Sequence, residues 1–191
     1  MNEKDRKIIK AAGEKALANR KKGFHCSEST FLAINDTFKI TDPSMVKMVT
    51  GFHGGGGTRR KTKDVDLTQT LEGMAAGKET RSGDELPVIQ IGHLCGALAS
   101  GIVCIGLLYG RESGSDDLTC VDELCYELHC RFEKKLGEKE CRHLFPRWKA
   151  VSPTNNCEYV YQTASELAVE LILEAASVVP ECQQKVQWPV H

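Results

Sequence analysis

The sequence contains no Cys-x-x-Cys and no Cys-x-x-Cys-His, although nine of its 191 residues are cysteine. The first absence removes the thioredoxin-type dithiol and the paired ligands with which a tight turn presents two thiolates to a structural zinc ion. The second removes covalent haem attachment. Excess charge is also missing. With 25 basic and 26 acidic side chains the formal net charge is −1, which argues against nucleic-acid binding by a broad positive face. The locally basic run at Lys15, Arg20, Lys21 and Lys22 reads as cations complementing a helix C-terminus. No long apolar core or small-residue cleavage site follows Met1-Asn2-Glu3, so a secretory signal is not expected and a reducing cytoplasm is the expected compartment. An odd cysteine count without close pairs fits a disulfide framework poorly. Most of the thiols are expected to be reduced or metal-bound.

From Val88 to Tyr109 there is no Asp, Glu, Lys or Arg, a stretch long enough to span a bilayer. Gln90, His93, Gly92, Gly96, Gly101, Gly106 and two cysteines dilute its hydrophobicity, and no second span accompanies it. A central buried helix is the expectation, without membrane insertion.

No internal repeat is evident, and apolar spacing of three and four residues recurs without sustained alternation. This predicts an all-α fold, a compact multi-helix bundle around a central glycine-rich buried helix, in a single domain over residues 1–191. A first helix is expected from about Glu3 to Lys22, stopped by Gly23, with Ile9, Ala12 and Ala16 on one face. Ser27 is expected to cap a second, with Cys26 just before the cap and Phe31, Ile34 and Phe38 inside. A short third starts near Pro43 and ends before Gly51, ahead of the glycine run Gly54 to Gly57. Residues 58–86 read as a polar surface insertion holding one short helix around Leu67 to Ala76. The central helix is expected to follow Pro87, with Cys95 on one stripe and Cys104 on the opposite side as core filler. Gly92, Gly96 and Ser100 then make a groove for the close approach of another backbone, within the domain or across a dimer. A helix from about Asp117 to Leu136 carries Val121, Cys125, Leu128 and Phe132 in a stripe and ends at Gly137, and Cys141 follows ahead of a turn expected at Pro146. Asn155 or Asn156 is expected to cap the last helix, which has Cys157, Val160, Ala164, Leu167 and Leu171 inside. A short tail from about residue 180 carries Cys182.

Four cysteines, Cys26, Cys95, Cys141 and Cys157, fall at or near the starts of separate predicted helices. Exposed N–H groups and the positive end of the dipole favour thiolate there, and thiolate is both the redox nucleophile and the soft metal ligand. Redox or metal chemistry at one shared site is the expectation, with ligands converging from distant segments as they do in bundles. Cys120, Cys125 and Cys130, five residues apart on one helix, cannot face a single ligand together. His25, His93, His129 and His143 each lie within two residues of a cysteine, which raises a mixed Cys/His site, but neighbours on a helix point about 100° apart. The glycine run lacks the Lys-Ser/Thr of a P-loop. It reads as a connector or as a close-packing element.

These residues carry a resemblance. Phe24-His25-Cys26-Ser27-Glu28-Ser29, the stretch Gly51-Phe52-His53-Gly54-Gly55-Gly56, and Cys95-Gly96-Ala97 followed by Gly106-Leu107-Leu108-Tyr109-Gly110 resemble the C_GCAxxG_C_C family of redox-active proteins. Cys141 and Cys157 stand where that family has its last two cysteines. Ser100 replaces the usual glycine of the central motif, and residues 58–86 add length where the family usually has little. The resemblance implies a compact helical redox protein. Related domains in split-Soret cytochromes carry an iron–sulfur centre, so it further implies an iron–sulfur cluster, [2Fe–2S] or [4Fe–4S], on Cys26, Cys95, Cys141 and Cys157, serving electron transfer with a partner the sequence does not identify. Two alternatives stand beside it: a metal-free thiol/disulfide oxidoreductase using two of the same cysteines, and a zinc-stabilised structural binding module.

Overall fold

The structure, a computed structural model, describes residues 1–60, 67–77 and 88–178. Pro87, Cys182 with the tail from about 180, and the rest of the 58–86 insertion lie outside the described residues. Helix α1, Glu3–Lys21, opens on a reciprocal cap in which the Asp5 N–H donates to Asn2 Oδ1 (2.9 Å) and the Asn2 N–H to Asp5 Oδ2 (3.0 Å). It stops one residue short of expectation, before Gly23 in a left-handed conformation. Helix α2 is Cys26–Phe38. A 3₁₀ turn, Pro43–Val46, leads into α3, Lys47–Thr50, and α4, His53–Gly56, is a single turn holding the glycine run. Strands β1, Thr58–Arg60, and β2, Val88–Gln90, pair antiparallel with Thr58 opposite Gln90, and α5, Leu67–Ala75, lies between them in sequence. Then follow α6, Gly96–Tyr109, α7, Thr119–Leu136, α8, Cys141–Lys149, and α9, Glu158–Val178.

The architecture is all-α, with the short β1–β2 ribbon its one departure among the described residues. Helix α1 packs on α9 and α2, α2 also on α6 and α9, and α7 on α6 and α9. The glycine-rich α6 thus touches α2, α7 and α9. Phe31, Ile34 and Phe38 of α2, Leu98 and Ile105 of α6, Leu128 and Phe132 of α7, and Tyr161 and Ile172 of α9 are buried between them. Their burial is the main source of cohesion, each side chain contributing about 1.5–3 kcal/mol.

Several expected boundaries are corrected. The central helix begins at Gly96 rather than after Pro87, because Val88–Gln90 pairs as β2 and Gly92 turns through a left-handed conformation that a helix cannot carry through (φ 78°). It is therefore 14 residues long, and no described helix is long and apolar enough to cross a membrane. Helix α2 begins at Cys26 itself. The capping carboxylate is that of Glu28, which accepts the His25 N–H at 2.8 Å, while Ser27 is fully buried. Cys141 opens α8, a helix that runs through the exposed Pro146, in place of a proline turn. Cys157, not Asn155 or Asn156, precedes α9, and its carbonyl accepts the N–H groups of Val160 (3.0 Å) and Tyr161 (3.4 Å).

The small-residue groove on α6 is filled from within the chain, and Gly92 lies outside it. A Cβ on Gly96 would stand 2.6 Å from the Phe52 carbonyl oxygen and 3.2 Å from Ser27 Cβ. Ser100 Oγ sits 2.8 Å from the Ser27 carbonyl and 2.9 Å from that of Gly96, sharing one proton between them. One turn on, Gly101 fits between α7 and α9, where a Cβ would meet Leu128 Cδ2 at 2.8 Å and Ala168 Cβ at 3.4 Å, whereas Gly106 has nothing within 4 Å. The Gly101→Val variant should therefore lose about 1–3 kcal/mol through overpacking, while Gly106→Ala should gain up to about 1 kcal/mol from helix propensity. Urea midpoints of the two variants check the difference in sign.

Candidate functional site

All four cysteines singled out in the sequence stand at helix starts. Cys26 and Cys141 are the first residues of α2 and α8, and Cys95 and Cys157 immediately precede α6 and α9. Backbone pairing between loops brings these starts together. The Ile91, Gly92 and His93 N–H groups donate to the carbonyls of Gly57 (3.0 Å), Gly54 (3.0 Å) and Gly55 (3.1 Å). On its other edge the same segment pairs with residues 139–142. The Cys141 N–H donates to the His93 carbonyl (2.8 Å), the Arg142 N–H to that of Gly92 (3.0 Å) and the Cys95 N–H to that of Lys139 (2.8 Å). Segment 91–95 is thus the middle of three backbone layers, which holds Cys95 beside Cys141 and carries the glycine run against both. The glycine run is a packing element rather than a loose connector. At Gly55, left-handed with φ 78°, a Cβ would stand 2.7 Å from the His93 nitrogen and 2.8 Å from Gly92 Cα.

Cys26 and Cys157 approach from α2 and α9. With Cys141 they line a cavity of about 50 Å³ shared with Arg20, His25 and His53, while Cys95 is buried (4% exposed). The four sulfurs form one electrostatic group: Cys157 feels the charges of Cys26, Cys95 and Cys141, Cys95 those of Cys26 and Cys141, and Cys141 that of Cys26. Burial is the leading influence on each and pushes the thiol up, Cys141 to about 11 and Cys95 to about 12, with Cys26 and Cys157 also raised. The expectation that helix starts make these groups thiolates is overturned, because desolvation and mutual repulsion outweigh the backbone dipoles. Those dipoles are nevertheless in place. The N–H groups of Ser27 and Gly54 stabilise charge on the Cys26 sulfur, as does the nearby Arg20, and those of Ala97 and Leu98 do so for Cys95.

Around the cavity the His25 and His53 rings stack, centroids 3.8 Å apart and 25° from parallel. Burial first, then the neighbouring His25 and Arg20 charges, hold His53 down to about 4, and its Nδ1 is buried without a hydrogen-bond partner. The Tyr161 hydroxyl donates to Asn156 Oδ1 (3.3 Å), Arg20 Nη1 to the Phe24 carbonyl (3.0 Å), and Cys141 Sγ lies 3.6 Å from Gln90 Oε1. Sequence reasoning passed over Arg20, His53, Asn156 and Tyr161 as site residues. His53 lies far from any cysteine in sequence, and its one signal was its place beside the glycine run.

The other cysteines and histidines go elsewhere. Cys104 is fully buried, as expected of core filler, Cys125 is half-buried and Cys130 is exposed. Cys120 is disulfide-bonded, and the other cysteines among the described residues are free thiols. His93 and His143 face solvent, His93 Nδ1 3.3 Å from Arg142 and His143 Nδ1 3.0 Å from Glu138 Oε2. Among the described residues no group of three or more His, Cys, Asp or Glu side chains is arranged to hold a metal ion.

A family model described as "Putative redox-active protein (C_GCAxxG_C_C)" matches residues 73–171, just over half of the chain. The match includes Cys95, Cys141 and Cys157 and stops short of Cys26 and the glycine run. No curated protein and no solved structure matches the chain significantly.

Two outcomes follow from this geometry. Gly55→Ala should cost at least about 1–2 kcal/mol for the left-handed residue alone, and more for the backbone clash, while Gly51→Ala, with open space around it, should be near neutral; urea denaturation separates them. In the metal-free chain the raised thiols hold protons that the unfolded chain releases near 9. Their stabilising contribution is full below about pH 9 and falls as the pH climbs toward 11. Denaturation midpoints measured from pH 7 to 11 should fall only at the alkaline end, and a flat profile there would contradict the assignment.

Proposed function

The chain belongs to the C_GCAxxG_C_C family of redox-active proteins, and on that premise we propose that it holds an iron–sulfur cluster on Cys26, Cys95, Cys141 and Cys157 and passes electrons through it. The observation that carries this reading is that Cys26, Cys141 and Cys157, from three helix starts, line one cavity, and that Cys95, from a fourth, feels the charges of Cys26 and Cys141, although the four are not arranged as a preformed metal site. Four thiolates are the usual ligand complement of a [2Fe–2S] or [4Fe–4S] cluster. Bound there, the cluster would supply one-electron chemistry.

The residues present fit such a group by their donor chemistry. Four thiols, two buried and two half-buried, that repel one another on ionisation call for a cationic partner, since uncompensated buried charge is costly. The N–H groups directed at the Cys26 and Cys95 sulfurs are the kind of donors that stabilise negative charge on sulfur. Arg20 adds positive charge on the Cys26 side. Burial of Cys95 and Cys141 keeps water from two of the four ligands.

Metal-free dithiol catalysis is less well supported, because a nucleophilic cysteine needs a thiol held low and burial holds all four high. Anaerobic purification with a visible spectrum and iron, sulfide and zinc analysis tests the reading. Brown protein with iron and sulfide in equal amounts is expected. Serine at any one of the four cysteines should abolish incorporation, and serine at the exposed Cys130 should leave it intact. Colourless protein without iron would refute the cluster, with zinc content then deciding between a structural ion and thiol chemistry.

A further inference from the structure

Four buried side-chain polar atoms among the described residues have no hydrogen-bond partner: Ser27 Oγ, His53 Nδ1, Tyr109 Oη and Trp148 Nε1. Two of them flank Cys26. Ser27 follows it as the second residue of α2, is fully buried, and has its Cβ 3.2 Å from the place a Cβ on Gly96 would take, next to Cys95. Ser27 therefore lies in the seam between two cysteine-bearing helix starts. His53 lines the cavity with Cys26, Cys141 and Cys157, its ring held against His25. Its neighbour Gly54 directs an N–H at the Cys26 sulfur.

An unsatisfied buried polar atom costs about 1–3 kcal/mol, and native proteins leave few of them. Two beside one cysteine are accounted for if their acceptor arrives with a bound group. The backbone carbonyls nearby are already engaged: that of Ser27 by Ser100 Oγ, that of Phe52 by the Gly55 and Gly56 N–H groups, and those of Gly54 and Gly55 by Gly92 and His93. Each of these carbonyls thus already accepts at least one hydrogen bond, and sulfur is a further class of acceptor beside Cys26.

We propose that Ser27 Oγ–H and His53 Nδ1–H are hydrogen-bond donors held for the sulfurs of the bound cluster, positioning residues that set its potential rather than ligands to its iron. This rests on the iron–sulfur reading above. Hydrogen bonds to cluster sulfur favour the more negatively charged, reduced state and so raise the potential. In the empty chain the same two atoms are only a cost. Removing them must therefore act with opposite sign on the two states, which no purely structural role would produce.

The test uses Ser27→Ala and His53→Phe, the second keeping a ring against His25. Each variant of the full chain is prepared metal-free for urea denaturation, and anaerobically for iron and sulfide content and midpoint potential. The metal-free variants should be as stable as wild type or more so, while each loaded variant should have a more negative potential and the double variant a larger shift. An unchanged potential in loaded variants overturns the inference, as does loss of stability in the metal-free chain. Wild-type protein without iron and sulfide sinks the cluster reading and this inference together. Loaded wild type with unmoved variants sinks this inference alone.

Discussion

The site depends on one set of backbone hydrogen bonds, those that segment 91–95 makes to the glycine run on one edge and to residues 139–142 on the other. Helix packing alone brings α2, α6 and α9 into a bundle, but it does not bring helix starts to a point. The loops ahead of α6 and α8 do that by satisfying each other's N–H and carbonyl groups, which in a semi-buried place have no better partners. A glycine is required at Gly55 because its φ is left-handed and a Cβ there would stand 2.7–2.8 Å from the backbone of the middle segment. A layered arrangement resembling a small sheet, made from loops, thus sits at one end of an otherwise helical protein and holds the cysteines in place.

The second constraint is electrostatic. A cysteine at a helix start in water is biased toward thiolate, and each of these four has backbone position in its favour. Collected in a buried place they lose that bias, because each charge is desolvated and repelled by the others. The chain has gathered sulfurs that are stable as thiols, with N–H groups, Arg20 and two unpartnered polar atoms around Cys26. The neutral His53, pressed on His25, belongs to the same logic: an imidazole kept uncharged beside a cation, with one nitrogen left unpartnered.

Much of the helical framework was legible in the sequence. The stop of α1 before Gly23, the end of α7 at Gly137 and the inner stripes of α2 and α9 follow from local rules, and the structure keeps them within a residue or two. The start of α6 was not legible, because Val88, Ile89 and Ile91 continue its apolar spacing backwards into a segment that pairs as β2 and then turns at Gly92. Helix α8 was hidden by Pro146, which local rules read as a turn. The caps of α2 and α9 shifted by a residue or more because Ser27 is drawn inward by packing on Gly96, while Asn156 is engaged by Tyr161.

By itself, then, the sequence determined that the chain is helical, that its cysteines are not paired for a zinc turn, and that Cys26 and Cys157 stand at or near helix starts, since periodicity, caps and spacing are local properties. Tertiary structure alone decided that Cys95 and Cys141 also stand at helix starts, that these starts meet, that their thiols are raised rather than lowered, and that His53 and Arg20 line the cavity with them. Burial and repulsion are properties of groups brought together from distant parts of the chain. Segment 91–95, paired on both edges, is what brings them there.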